Sequence, residues 1–423
     1  MHPEREGANQ RSVGHHVTAT PAVPVNAPGR IQGIDLARAL AILGMFAAHL
    51  TVTPPFQWNE PTTWSALVNG NSSVLFAALA GVSLALSTSG TDKATPPTGH
   101  TLTRARRLLT ARAAIIWIIG LLLVGTGVPV NVILPAYGIL FLVSTRLIAH
   151  QLSTLVTTAA LTAITMPVLV SAINTAASDD IAAERTLATT LIGWYYPFPV
   201  WAAFLTTGIA AGRVLASARN HIIPAAGMVA LGVPLAAIGH LLLGPIATHA
   251  EDNNGPWLLT TLHVEPHSSG IGEVIGSGGV ALAAIGMCVL ICLTPLRHLT
   301  WPLRAMGSMP LTAYTAHLLV WKLWALTQTI PSSASAQMLT EFRATEPFWP
   351  ATLAILAGCA LWNATIGKGP LEYLVGRAAT ILASVPNWRP ADQSHHGRHR
   401  RTADHHTGSH TDDNRDSADP ATS

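Results

Sequence analysis

GIDLARALAILGMFAAHLTV, residues 33–52, is long enough to cross a bilayer, yet it carries Asp35, Arg38 and His49. At about 100° per residue, the eleven-residue step from Arg38 to His49 returns to within roughly 20° of its start. Asp35 falls about 60° from Arg38 and about 40° from His49, so a helix gathers all three on one stripe. The stripe is roughly 20 Å long, with Asp35 and Arg38 near one membrane face and His49 near the other. A helix facing lipid on that side would bury charge in hydrocarbon, so the stripe must face protein or a wet cavity. Two readings of it remain open. One is an Asp35–Arg38 ion pair with an interfacial His49; the other is a histidine placed for proton or acyl transfer, with an arginine holding an anion.

Composition extends this reading to the whole chain. Of 423 residues, 49% are hydrophobic and only 11% charged, against about 25% charged in soluble domains. The expected class is an all-α, polytopic integral membrane helix bundle. The 24 basic residues form short clusters between apolar runs, which carries topology information and points away from nucleic acid. Cys288, Cys292 and Cys359 all lie in apolar runs, which argues against a disulfide framework or a thiolate metal site.

Ten apolar runs are expected as spans, near 33–52, 66–88, 108–125, 128–147, 152–174, 194–216, 222–243, 273–295, 306–328 and 348–366. Arg30, Lys93, Arg104, Arg106, Arg107, Arg146, Arg213, Arg219, Arg297, Arg304, Lys368 and Arg377 cluster in or beside one alternate set of connections. The other set holds acidic residues, with Arg185 and Arg343 as the exceptions. By the positive-inside rule both termini are cytoplasmic. No removable leader is expected before the first span. The domain reading is a disordered cytoplasmic segment 1–29, a membrane domain 30–378, and a disordered His/Arg/Asp-rich tail 379–423.

Polar groups recur inside other apolar runs. In MGSMPLTAYTAHLLVWKLWALTQ, residues 306–328, His317 lies near mid-membrane, Tyr314 one turn earlier, and Lys322 either snorkels outward or lines a passage. The loop HVEPHSSGIGEVIGSGG, residues 263–279, clusters His263, Glu265, His267 and Glu273, but its spacing matches no zinc pattern. It reads better as a re-entrant or acceptor-facing loop, and no metal is expected. Gly369-Pro370 ends the last span, and Glu372 is expected to have a structural role, paired with a cytoplasmic arginine. Trp194, Tyr195, Trp257 and Trp349 belong to an outer aromatic set, read either as an interfacial belt or as stacking surfaces for sugar rings.

RIQGIDLARALAILGMFAAHL, SSVLFAALAGVSLAL, GWYYPFPVWAAFLTTGIAAGR, PHSSGIGEVIGSGGVAL, MGSMPLTAYTAHLLV and GKGPLEYL together resemble the bacterial YeiB-type membrane proteins, related to heparan-alpha-glucosaminide N-acetyltransferase. The resemblance covers roughly residues 30–378. It implies an acyltransferase fold that moves an acyl group from cytoplasmic acyl-CoA, acetyl-CoA first among them, to a hydroxyl or amine on an outer glycan. In related sugar O-acyltransferases an arginine and a histidine ten residues apart in the first helix are functional, and Arg38-x10-His49 matches that spacing. Two departures stand out. The lysosomal enzyme's working histidine lies in the loop after the first helix, where residues 53–65 have none; and Gly70-Asn71 stands where many bacterial relatives have Gly-Arg.

On this reading Asp35, Arg38, His49 and His317 are the candidate catalytic residues, with His49 as base or transient acyl acceptor. Arg38 with Arg104, Arg106 or Arg107 would hold the coenzyme A phosphates, against topology control as the plainer role for those three. His317 and Lys322 would line a passage and stabilise an oxyanion, and Trp194, Tyr195 and His267 would meet the acceptor. The expected partners are the lipid bilayer and a small acceptor, with no nucleic acid; a homodimer is the assembly considered. The expected location is the bacterial cytoplasmic membrane. A transporter or flippase using the same stripe is the rival, set against the lack of similarity between residues 33–216 and 222–366.

Overall fold

The computed structural model describes residues 30–384 except 53, 55, 56, 58, 89–94, 177–186 and 329–334. The segments 1–29 and 385–423, together with Trp58, Lys93, Asp179, Asp180, Glu184 and Arg185, lie outside the described residues.

Every regular element among the described residues is helical, so the chain is an all-α polytopic bundle. α1 (Gln32–Leu50) leads through a 3-10 segment (Pro61–Val68) to α2 (Asn71–Thr88). There follow α3 (Gly99–Gly125), α4 (Leu134–Leu147), α5 (Leu152–Ala176), α6 (Leu187–Ile192) and α7 (Phe198–Ser217). α8 (Ile222–Ala237) runs through a π-helical turn (Ile238–Leu243) into α9 (Gly244–Asp252) and the short α10 (Trp257–Thr260). α11 (Ile271–Cys292), α12 (Leu296–Leu299), α13 (Trp301–Gly307), α14 (Pro310–Ala325), α15 (Ser335–Ala344), α16 (Phe348–Thr365) and α17 (Pro370–Ser384) complete the order.

Seven helical stretches among the described residues are long and apolar enough to cross a membrane: α1, Ala66–Thr88, α3, α5, α7, Ile222–Asp252 and α11. An eighth is reached if α16 and α17, bent by 58° at Gly367–Gly369, form one span. Two of the ten expected spans are therefore shorter than expected. The run at 128–147 keeps only the 14 residues of α4, because Gly127 takes a positive φ of 74° and Pro135 sits in the first helical turn. The run at 306–328 restarts at Pro310 and yields the 16 residues of α14. At 1.5 Å per residue these helices reach about 21 and 24 Å, short of the roughly 30 Å hydrocarbon layer. The domain boundary expected at 378 falls inside α17, which continues to Ser384.

Burial separates inner from outer helices. α1 packs on α2, α11 and α13 and touches α14; α2 also packs on α7. α5 buries only Leu155, Pro167 and Val170, leaving its apolar remainder to lipid. Where inner helices meet, backbones come into direct contact. Gly208 of α7 faces the carbonyl of Ala78 on α2, and Gly81 of α2 faces that of Leu205, with no room for a Cβ at either. This is small-residue packing, suited to a medium that offers no hydrophobic drive between helices.

The obstacle at Gly208 is backbone, which cannot rotate away. Gly208→Ala is therefore expected to cost about 1–3 kcal/mol and lower the thermal midpoint in detergent. Gly227→Ala on α8, whose Cβ would meet nothing within 4 Å, should be neutral or slightly stabilising in the same measurement.

Candidate active site

The polar residues of α1 form two clusters, one at each end. At the first end the Asp35 carboxylate is buried and accepts from two arginines. Arg30 donates through Nε at 2.6 Å and Nη2 at 2.8 Å, and Arg38 through Nη1 at 2.6 Å. Arg38 Nη2 also donates to Ser83 Oγ at 2.8 Å, tying α1 to α2. The Asp35–Arg38 ion pair was one of the two sequence readings; the contribution of Arg30 was not foreseen. Two guanidinium groups around one carboxylate leave a net charge of +1, and the Arg38 side chain keeps 18% exposure. Gly307 of α13 lies directly against the Asp35 carbonyl, with no room for a Cβ.

At the other end His49 Nδ1 and His317 Nε2 are 3.0 Å apart, with ring centroids separated by 5.2 Å and tilted by only 20°. His317 is buried among Phe46 and Tyr314, at 4.6 and 5.0 Å between ring centroids, while His49 is half-buried. The Tyr314 hydroxyl accepts from the Ile133 amide at 3.4 Å, so Tyr314 packs on His317 by its ring. Glu372 sets the register of α14. It accepts from the amides of Leu311 and Thr312 at 2.7 and 3.1 Å and from Thr312 Oγ1 at 2.6 Å. Its structural role is thus to cap that helix N-terminus; among the described residues no arginine lies within ion-pair distance of it, though its charge is felt at Arg38.

Between the clusters α1 presents apolar side chains. Ile42, Met45 and Phe46, at four, seven and eight residues from Arg38, occupy the same helical face and are buried. Lys322 also leaves the set. Five residues beyond His317, it points about 140° away around α14, and it makes no ion pair or hydrogen bond among the described residues. Arg104, Arg106 and Arg107 are exposed on the first half of α3, where Arg106 Nε donates to the Thr145 carbonyl at 2.9 Å. Among the described residues no hydrogen bond or ion pair joins them to the Asp35 cluster.

The loop before α11 is organised by Glu273. Its carboxylate accepts from the amides of His267 and Ser269, each at 2.7 Å, and from Ser268 Oγ at 3.5 Å. His267 and Ser269 take positive φ values of 65° and 57°, a strained geometry that these bonds stabilise. The His267 ring is set against Tyr195 and Tyr196, at 5.3 and 5.2 Å between centroids. Trp194 stands apart, donating from Nε1 to Asn174 Oδ1 at 3.1 Å. His263 pairs instead with Glu251 at 3.5 Å, and no group of three metal-ligating side chains occurs among the described residues.

Arg343 escaped the sequence reading, although its exception to the charge pattern was the available signal. From α15 it donates through Nε to the His49 carbonyl at 3.1 Å and through Nη2 to the Ala48 carbonyl at 3.0 Å.

Burial pushes His267 from its ordinary 6.5 down to about 4. The unfolded chain therefore binds this proton more tightly, and the stability contributed by a neutral His267 is complete above pH 6.5. It falls as the pH drops toward about 4. The gap in thermal midpoint between about pH 7.5 and about pH 4.5 should shrink in His267→Gln relative to wild type.

A family model described as "Heparan-alpha-glucosaminide N-acetyltransferase, catalytic" matches residues 30–244, just over half of the chain. No curated protein and no solved structure matches. The matched range contains Arg30, Asp35, Arg38, Ser83 and His49, whereas His267, His317, Arg343 and Glu372 come from beyond it. The helical membrane bundle and this match give the conclusion that the chain belongs to the heparan-alpha-glucosaminide N-acetyltransferase catalytic family.

Proposed function

We propose that this membrane acetyltransferase-type protein transfers an acyl group, acetyl in the first instance, from cytoplasmic acyl-CoA to a hydroxyl or amine acceptor on the outer side. The observation that carries the reading is the 3.0 Å contact between His49 and His317. Two imidazoles sharing one hydrogen bond form a base whose tautomer is held by its partner.

For His49 to act, its Nε2 must carry the free lone pair. Its Nδ1–H then donates to His317 Nε2, and the His317 proton sits on the buried Nδ1, which has no hydrogen-bond partner among the described residues. The acceptor's nucleophilic atom attacks the thioester carbonyl while His49 Nε2 takes its proton. Collapse of the tetrahedral intermediate breaks the C–S bond, and the departing thiolate takes the proton back from His49 Nε2, which restores the free base. Tyr195 and His267 are the surface against which the acceptor docks.

At the cytoplasmic end the net positive charge of Arg30, Asp35 and Arg38 suits the phosphates of coenzyme A. Arg38 and His49 are separated by a rise of about 16 Å, which the extended pantetheine arm would bridge. That requires Ile42, Met45 and Phe46 to part from their packing. In a bacterial cell the protein belongs in the cytoplasmic membrane, with the arginine-rich connections inside.

Purified protein supplied with radiolabelled acetyl-CoA and a panel of amine and hydroxyl acceptors tests this. His49→Ala and His317→Ala are expected to lower kcat by about 10²–10⁴-fold with little change in KM for acetyl-CoA. Ser83→Ala, which loosens Arg38, should raise that KM instead. Solute uptake by proteoliposomes with no acyl turnover would favour the transporter and overturn the proposal.

A further inference from the structure

We infer that Arg343 is a positioning residue that holds His49 against His317, acting from an outer helix that grips both histidine-bearing helices at once. The inference rests on the transferase reading for its functional consequence, but not for its geometry.

The last four carbonyls of any α-helix lack intrahelical partners, and the final turn frays unless something else takes them. His49 is the penultimate residue of α1, so it stands in that turn. The Ala47 carbonyl is taken by the Thr51 amide at 3.0 Å and by Thr51 Oγ1 at 2.7 Å. The next two, those of Ala48 and His49, are taken by the Arg343 guanidinium. A planar fork with a fixed spacing between donors suits two adjacent carbonyls, and its charge complements the negative end of the helix dipole.

The residue before Arg343 makes the second grip. Phe342 is buried, and its ring lies 5.0 Å from that of Trp324, two turns beyond His317 on α14. Met338, one turn earlier on α15, is buried as well. Successive residues of α15 thus hold the end of α1 and the end of α14. Because α1 carries His49 and α14 carries His317, α15 sets the distance between the imidazoles without touching either ring. A hydrogen bond at 3.0 Å tolerates little axial slippage, and a 1 Å displacement of a reacting group can cost about 10²-fold in rate.

The test uses the full chain in detergent with three variants: Arg343→Met, which keeps the length without donors or charge, Arg343→Gln, and Arg343→Lys. Histidine ¹⁵N NMR, assigned with His49→Gln and His317→Gln, reads the ring pair directly and needs no activity. Arg343→Met is expected to lose the hydrogen-bonded ring signals and to lower kcat by roughly 10–100-fold, with KM for acetyl-CoA within about twofold of wild type. Arg343→Lys, still a cationic donor, should recover most of both; Arg343→Gln carries the expectation for Arg343→Met if the latter does not fold. Wild-type ring signals in both neutral variants would overturn the proposal, as would a raised KM with unchanged kcat. If wild type transfers no acetyl group, the transferase reading fails, and the NMR result alone still decides the role of Arg343.

Discussion

A bilayer offers no water to a stranded polar group, so each ionisable side chain in the first helix must find its partner inside the protein. That constraint explains why α1 is central rather than peripheral. Asp35 is surrounded by Arg30, Arg38 and a glycine-lined contact with α13, while His49 meets an imidazole from α14 and has its carbonyl capped from α15. α5, which carries no ionisable group, is left on the outside.

The two polar ends answer the constraint differently. At one end an acid is overcompensated by two arginines, leaving a site of net positive charge in the side expected to face the cytoplasm. At the other, two imidazole rings share a hydrogen bond, and the nearby Arg343 guanidinium binds helix carbonyls. Ile42, Met45 and Phe46 lie buried between them on α1.

Some of this could be read directly from residue spacing. The helical phase of Asp35, Arg38 and His49 placed them on one face, and the same arithmetic applied to Ile42, Met45 and Phe46 would have revealed the apolar barrier. It would likewise have turned Lys322 away from His317. Arg343 was visible only as a misfit in the charge pattern, with nothing in its neighbourhood to name its target. The shortened α4 and α14 show where hydropathy alone misleads: Pro135 and Pro310 sit in the first helical turn inside runs that are apolar enough on average to read as full spans.

By itself the sequence determined that the chain is helical, that it belongs in a membrane, and that its first helix carries groups unfit for lipid, because these follow from local periodicity and composition. Which partner each group found was decided by tertiary structure. His49 and His317 are 268 positions apart, and their meeting depends on the approach of α14 to α1. That approach is set by the Glu372 cap and by the grip of α15, long-range contacts that leave no periodic trace along the chain.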